Sequence, residues 1–340
     1  MATPAIGRLE RVLTYGNFPW AGPRRAARHT ERDQERTTRA AVLEGKVVAI
    51  TGGGGGIGRA VALAAANEGA KVLVADFGVG MAGEDPSSEV ADAVVAEITK
   101  AGGEAIAVAD DISKMESGER LIATAVEKWG RIDGVVAVAG ILRERMLFNM
   151  SEDEWDAVIK THLKGHFTVF RAAAAVMRKQ EGGGALIGFT SGAFQGSVAQ
   201  ANYAAAKGGI VSLVRSAAVG LHRYGVTANA IAPVARTRMS ANVPSELAEM
   251  GDAEDVAPMV VFLLSDKAKH VTGQVYTVVG SKIAVWNQPT EVRAMWADGR
   301  WTPEQIAERL DDNIGQERLA MIDRLEQMRA AAASGEKPNA

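Results

Sequence analysis

The sequence predicts an α/β chain built on a doubly wound, seven-stranded parallel sheet, with a helical C-terminal extension. Three observations lead there. From Lys46 to Val279, seven short apolar runs alternate with helical stretches. Near-continuous apolar strands separated by helices belong to a parallel sheet covered on both faces. Residues 46–60, KVVAITGGGGGIGRA, set five consecutive glycines between a β-branched run and an alanine-rich helical stretch. Beyond Val279 the alternation stops, and charged, helix-forming sequence runs to about residue 333.

In chain order, strands are expected at 47–50, 72–75, 105–109, 135–139, 185–189, 226–231 and 275–279, and helices at 60–68, 87–100, 116–129, 152–180 and 201–222. The glycine turn after the first strand has the strand–turn–helix context of a dinucleotide site. Glycine there permits a tight turn and close approach to a pyrophosphate, and the first N–H groups of the following helix face the negative charge. The second strand ends at Asp76, 18 residues after Gly58. An acid at that strand tip accepts hydrogen bonds from both adenosine ribose hydroxyls and repels a 2′-phosphate. Gly55 offers no basic side chain to such a phosphate, so NAD is the expected cofactor. Residues 77–86 read as a polar, glycine-rich loop. Near the C-terminus Thr302, Pro303 and Gln305 read as an N-cap, a first-turn proline and the closing residue of a capping box.

One dehydrogenase-sized domain is expected over 44–285, preceded by a basic arm (1–43) and followed by the helical extension (286–340). The first 40 residues hold eight arginines, no lysine and four acids, and no apolar segment of a secretory signal. The net charge of −3 argues against nucleic acid as the main partner. With no cysteine there is no disulfide framework, thiol nucleophile or thiolate metal site, and no metal site is expected. No charge-free apolar run reaches the length of a membrane span. The expected location is the cytoplasm.

Residues 200–207, QANYAAAK, place Tyr203 and Lys207 one helical turn apart on a shared face. A tyrosine pKa near 10 lies about three units too high for acid/base work at neutrality, a gap worth about 4 kcal/mol. An ammonium at roughly 4 Å supplies about that at an effective dielectric near 20. Alone, such a pair is usually an ordinary helix pair. The glycine turn about 150 residues upstream changes its meaning.

At these residues the chain resembles the short-chain dehydrogenase/reductase family, over roughly 44–285. Thr51-Gly52 with Gly56-Ile57-Gly58 matches the family's TGxxxGIG cofactor motif, and Tyr203 and Lys207 match its YxxxK motif. Asp111-Ile112 matches the pair that packs beside adenine, and Ala139-Gly140 the end of the NNAG motif. The resemblance implies a Rossmann fold, oxidation of a secondary alcohol to a ketone, and an NAD site that also includes Pro233 and Thr237. It further implies that Tyr203 takes the hydroxyl proton, that Lys207 lowers the tyrosine pKa and holds the nicotinamide ribose, and that a serine orients the alcohol. A fourth polar group anchors a water-linked proton relay.

The chain departs from the family pattern at four places. The relay position, Asn in most relatives, is His162, within THLKG. The position 13 residues before the tyrosine, usually serine, is Thr190, while Ser191 lies 12 before it. A loop one residue shorter restores Ser191 to the serine role, and it is preferred over Thr190. Ala137 and Val138 replace the two asparagines of NNAG, and Val234 replaces the glycine after Pro233.

Residues 140–167, 233–240, and VTGQVYTVVGSKIAVWNQP with the later WTPEQI, look like the 3-hydroxyacyl-CoA dehydrogenase branch of the family. That branch includes the peroxisomal multifunctional β-oxidation enzyme and bacterial relatives acting on steroid side-chain acyl-CoAs. The implied substrate is a small molecule, an acyl-CoA. Met239, Val243, Pro244, Leu247 and Met250 suit a lid over a bulky apolar ligand. Arg143, Arg145, Arg236 and Arg238 flank the expected mouth, where CoA phosphates can meet them. Two alternatives stand beside this reading: a hydroxysteroid or terpenoid alcohol dehydrogenase, and a catalytically weak binding or scaffolding member. The stretches 152–180 and 201–222 are where the resemblance places subunit contacts. The second is apolar nearly all round, so a homo-oligomer, tetramer or dimer, is expected.

Overall fold

The computed structural model describes residues 41–78, 87–237, 250–315 and 317–334. The basic arm before residue 41, the centre of the 77–86 loop and lid positions 238–249 lie outside them.

Seven parallel strands form the sheet: β1 (Val47–Thr51), β2 (Lys71–Ala75), β3 (Ala105–Val108), β4 (Gly134–Ala137), β5 (Gly184–Phe189), β6 (Val226–Pro233) and β7 (Val275–Val279). An eighth, β8 (Lys282–Val285), adds antiparallel to β7, so the sheet is one strand wider than the seven expected. Its order is β3-β2-β1-β4-β5-β6-β7-β8. Direction reverses around β1, which pairs with β2 on one side and β4 on the other. At such a switch point the crevice beyond the strand C-termini is open for a ligand.

The helices are α1 (Gly56–Asn67), α2 (Glu89–Lys100), α3 (Met115–Trp129), α4 (Glu152–Ile159), α5 (Gly165–Met177), α6 (Ala201–Leu221), α7 (Ala253–Leu264), α8 (Pro303–Asn313) and α9 (Ala320–Ser334). Side chains alternate along each strand, and the two sets feed two cores. Val48, Ile50, Val72 and Val74 pack with Val61 of α1, Val94 and Ile98 of α2, and Val260 of α7. Val47, Ala49 and Leu73 pack on the other face with Leu121 of α3, Val169 of α5, and Ile210 and Val214 of α6. Both faces are covered, which is why the strands read as unbroken apolar runs.

The stretch 152–180 is not one helix. A π turn at Lys160–Lys164 separates α4 from α5. The Ser151–Glu154 capping box starts α4. The turn brings His162 inside, where it is 1% exposed. Such turns within helices gather at functional sites.

Among the described residues, one helix, α6 with its short 3-10 continuation to Tyr224, is long and apolar enough by length and composition to cross a membrane. It packs on β5 and β6 and buries Lys207, Ile210 and Val214, so it is a core helix and not a span. The C-terminal segment joins the sheet through β8, and the indole N–H of Trp286 donates to Thr277 Oγ1 at 2.8 Å. Trp286 meets Phe194 edge-to-face, ring centroids 4.8 Å apart. The Thr302–Gln305 capping box opens α8.

Candidate active site

The glycine turn shows why its residues are glycine. Gly52 has φ of +68°, and a Cβ there would lie 2.7 Å from the Ala139 amide nitrogen. At Gly58 a Cβ would fall 2.0 Å from the Gly52 carbonyl oxygen. The turn therefore closes tightly onto β4 and onto the first turn of α1. That helix has no side-chain cap and no acid in its first turn, so its leading N–H groups are left for an anion.

Asp76 stands at the tip of β2. Its Oδ2 accepts from Gly54 N–H and its Oδ1 from Gly78 N–H, both at 2.8 Å. An ionised carboxylate has about four lone-pair sites, so two remain for a ligand. Ile112 is buried, and Asp111 Oδ1 accepts from Ser113 N–H. Asp110, which the sequence did not single out, is the better-anchored acid of that loop. It accepts from Ser117 Oγ at 2.6 Å and from both Nε and Nη2 of Arg120. Burial pushes its carboxyl up, but the hydrogen bonds from Ser117 and Arg120 outweigh that and hold it below its usual range.

These groups line one cavity of about 740 Å³ beyond the strand C-termini. Gly52, Gly56, Ile57, Asp76, Asp111 and Ile112 lie at its nucleotide end, with Ala139, Gly140, Pro233 and Thr237 further along. His162, Ser191, Tyr203 and Lys207 close the other end. Thr51 and Gly58, both expected at the cofactor, do not line the cavity but stand behind it. The Thr51 hydroxyl is fully buried without a hydrogen-bond partner among the described residues. A tight glycine turn, free helix N–H groups and a strand-tip acid are a set that fits a dinucleotide.

Tyr203 and Lys207 project from the first turns of α6. Asn202 braces that helix start: its side-chain N–H groups donate to the carbonyls of Arg143 and Glu154, both at 2.9 Å, and its Oδ1 accepts from Tyr203 N–H. Spacing motifs do not mark Asn202, because its partners come from two distant segments. Just before the helix, Ala199 takes φ of 59°. A non-glycine residue there costs about 1–2 kcal/mol, and it turns the chain so that the Ala199 carbonyl accepts from Arg145 N–H at 2.7 Å.

Ser191 and Thr190 diverge as neighbours on an extended chain must. Thr190 is buried and donates to the Lys207 carbonyl at 2.8 Å. Ser191 lines the cavity beside Tyr203, where its side chain draws the phenol pKa down, and its Oγ accepts from Ala193 N–H at 3.2 Å. The structure thus brings Ser191, not Thr190, to the tyrosine.

The electrostatics differ from the simple pairing expected from sequence. Burial pushes the Tyr203 phenol up to about 12, and the neighbouring Ser191 side chain pulls the other way. Burial pushes the Lys207 ammonium down to about 7. The ammonium lies 5.2 Å from the tyrosine ring centroid and donates to the Phe189 carbonyl at 2.6 Å. Both groups are dehydrated, and the cation is held by a backbone carbonyl rather than aimed solely at the phenol. Near neutrality it is therefore the lysine that changes charge in this state.

His162 lies edge-on to Tyr203, ring centroids 5.2 Å apart. Its Nε2 lies 2.9 Å from the Ile141 carbonyl oxygen, and its Nδ1 is buried without a partner among the described residues. Burial, with the Lys207 cation nearby, holds it well below the usual histidine range. Arg145 is paired with Glu154, and Arg143 lines the cavity.

Known proteins place this architecture. A family model described as "Enoyl-(Acyl carrier protein) reductase" matches residues 52–280. The chain is 45% identical over 293 residues to "Hydroxyacyl-CoA dehydrogenase ChsB1" of Mycobacterium tuberculosis, covering 82% of this chain and 91% of that one. It is 43% identical over 232 residues to "Peroxisomal multifunctional enzyme type 2" of Mus musculus, covering 68% of this chain but 31% of that longer one. A crystal structure of a short chain dehydrogenase from Mycobacterium avium superposes with a TM-score of 0.72 at 46% identity, over 82% of this chain and 97% of that one. The chain belongs to the short-chain dehydrogenase/reductase family and is an oxidoreductase of CH–OH groups.

The two hydroxyls beside each other make separable predictions. Ser191→Ala is expected to lower turnover by about 100-fold, the range for a positioned polar group in proton transfer. Thr190→Ala is expected to cost about 1 kcal/mol of stability through its lost bond to the Lys207 carbonyl, with a smaller loss of turnover. Steady-state kinetics and urea unfolding of both variants check the ranking, and the reverse ranking would refute it.

Proposed function

We propose that this chain is an NAD-dependent dehydrogenase that reversibly oxidises a 3-hydroxyacyl-CoA to the 3-oxoacyl-CoA. The observation that carries the reading is the meeting of Ser191, Tyr203 and Lys207 in the cavity that the glycine turn opens. The substrate class is supported by the 45% identity to a hydroxyacyl-CoA dehydrogenase over most of both chains. The nicotinamide, when bound, supplies the hydride acceptor. The protein's own groups do the rest. Ser191 Oγ hydrogen-bonds the substrate hydroxyl and turns it toward Tyr203. The phenolate oxygen of Tyr203 takes the hydroxyl proton. The Lys207 cation favours that phenolate, with the burial of both groups strengthening the attraction. His162 Nδ1, buried without a partner among the described residues, suits a water that passes the proton outward. Arg143, on the cavity wall, suits a CoA phosphate.

NAD is favoured over NADP because Asp76 brings a carboxylate, already fixed by two backbone N–H groups, to the adenosine ribose. Asp76→Ala is expected to raise the NADP/NAD ratio of kcat/KM by about tenfold or more, a change of roughly 1.4 kcal/mol in discrimination. Equal use of both cofactors by the unaltered enzyme would overturn this role for Asp76.

A substrate panel tests the reaction itself: short, medium and steroid-side-chain 3-hydroxyacyl-CoAs beside free steroid and terpenoid alcohols, with absorbance at the reduced nicotinamide. Turnover of the thioesters is the expected result. Turnover confined to free alcohols would replace the acyl-CoA reading.

We further infer a homo-oligomer, tetramer or dimer. Trp155 on α4, Phe167 on α5 and Val219 on α6 are exposed apolar groups on the helices concerned, Val219 at 83%. Light scattering at micromolar concentration is expected to give a dimer or tetramer mass, and a monomer mass would refute it.

A further inference from the structure

Thr168, on α5, is fully buried and has no part in the proton transfer above. Its hydroxyl faces two carbonyl oxygens, that of Ile112 at 2.6 Å and that of Gly165 at 2.9 Å. The second is the contact a helical threonine makes with its own preceding turn. The first is not local: it reaches across 56 residues to the turn that follows β3. A hydroxyl carries one proton, so the shorter contact takes the larger share of it. The Ile112 side chain follows its carbonyl onto the same helix. A Cβ on Gly165 would lie 2.9 Å from Ile112 Cδ1, so the bare glycine backbone is the seat of that side chain. Gly118 brings α3 to the same point, where a Cβ would lie 2.8 Å from the Thr168 carbonyl carbon.

The turn that Thr168 holds, residues 110–113, is a wall of the cavity. Its start is fixed from α3, where Ser117 Oγ and Arg120 Nη2 donate to Asp110. Asp111 Oδ1 accepts from Ser113 N–H, and the Asp111 carbonyl accepts from Lys114 N–H at 3.1 Å. β3 pairs with β2 through Ala75↔Val108, and Asp76 N–H donates to the Val108 carbonyl at 3.1 Å. The turn therefore stands beside Asp76, and a base carried by the ribose that Asp76 meets has this turn for a wall. Polar bonds within the turn and from α3 fix its two aspartates. At Ile112, the apolar member that lines the cavity, the bond comes from Thr168.

We propose, on the strength of the NAD site assigned above, that Thr168 is a positioning residue for the cofactor: its hydroxyl sets the Ile112 peptide and so holds the apolar wall at the nucleotide end of the cavity. Without the hydroxyl, the Ile112 carbonyl is a buried acceptor whose donor is gone. The turn then samples orientations in which water reaches that carbonyl, and the Ile112 side chain leaves its seat on Gly165. Ordering the wall again becomes part of binding the nucleotide, which weakens the cofactor without touching the reacting atoms. Ser191, Tyr203 and Lys207 lie at the other end of the cavity, so turnover at saturating cofactor is set by groups that the change leaves in place.

The test compares full-length wild type, Thr168→Val, Thr168→Ala and Thr168→Ser. Valine keeps the shape and loses the hydroxyl, serine keeps the hydroxyl and loses the methyl, and alanine loses both. Each is measured by isothermal titration with NADH, by hydrogen exchange of the free protein over residues 109–115, and by kinetics with NAD and 3-hydroxydecanoyl-CoA. For Thr168→Val, the NADH Kd and the KM for NAD are expected to rise about fivefold, the scale of one net hydrogen bond, with kcat and the thioester KM changed by no more than about twofold. Exchange over the turn is expected to quicken before any cofactor is added. Thr168→Ser is expected to restore both, and Thr168→Ala to behave as valine does. A folded Thr168→Val with wild-type NADH affinity, or with unchanged exchange over the turn, would reduce Thr168 to helix packing. Should valine not fold, serine against alanine isolates the same hydroxyl, and equal NADH affinity in those two overturns the proposal. Failure of the wild type to bind NADH would instead overturn the cofactor site on which the proposal stands.

Discussion

A lysine ammonium buried against a single backbone carbonyl is the arrangement from which the rest of this site follows. Lys207 is 3% exposed and donates to the carbonyl of Phe189. An unpaired buried cation is costly, and the protein offsets that cost only in part, which is why the charge is loosely held near neutrality. The carbonyl is available because β4 stops one residue early. The same early stop opens the crevice into which the glycine turn and Asp76 project. Strand length, cavity and lysine chemistry are thus one feature seen at three scales.

Around that lysine the protein uses backbone more than side-chain charge. Phe189 holds the cation and Ile141 meets His162. Asn202 grips the carbonyls of Arg143 and Glu154 to fix the start of α6. No salt bridge to Lys207 is present among the described residues. A carboxylate at that distance would pull the lysine back into its ordinary range and leave the tyrosine under a weaker net positive influence. Neutral dipoles hold the cation in place without neutralising it.

Much of this was legible in the sequence, for physical reasons that differ by residue. The glycine turn was legible because close approach of backbone to backbone excludes every other side chain, as Gly58 shows against Gly52. Tyr203 and Lys207 were legible because one helical turn fixes their shared face. Thr190 and Ser191 could not be separated by spacing, since a one-residue difference on an extended chain decides which points inward. The π turn was hidden because one extra residue hardly disturbs the apolar periodicity of 152–180. β8 was hidden because its four residues are mostly exposed and carry no burial pattern.

The contact between Trp286 and Phe194 gives the C-terminal segment a stake in the chemistry. Phe194 lies in the short helical turn that Ser191 caps, and Trp286 follows directly on β8. An indole hydrogen-bonded to β7 therefore props the loop that presents the serine hydroxyl. For anyone trimming or fusing this chain, the practical end of the catalytic unit is not the last parallel strand. A boundary drawn at Val279 would keep the seven parallel strands but remove β8 and, with Trp286, the ring that packs on Phe194 behind Ser191.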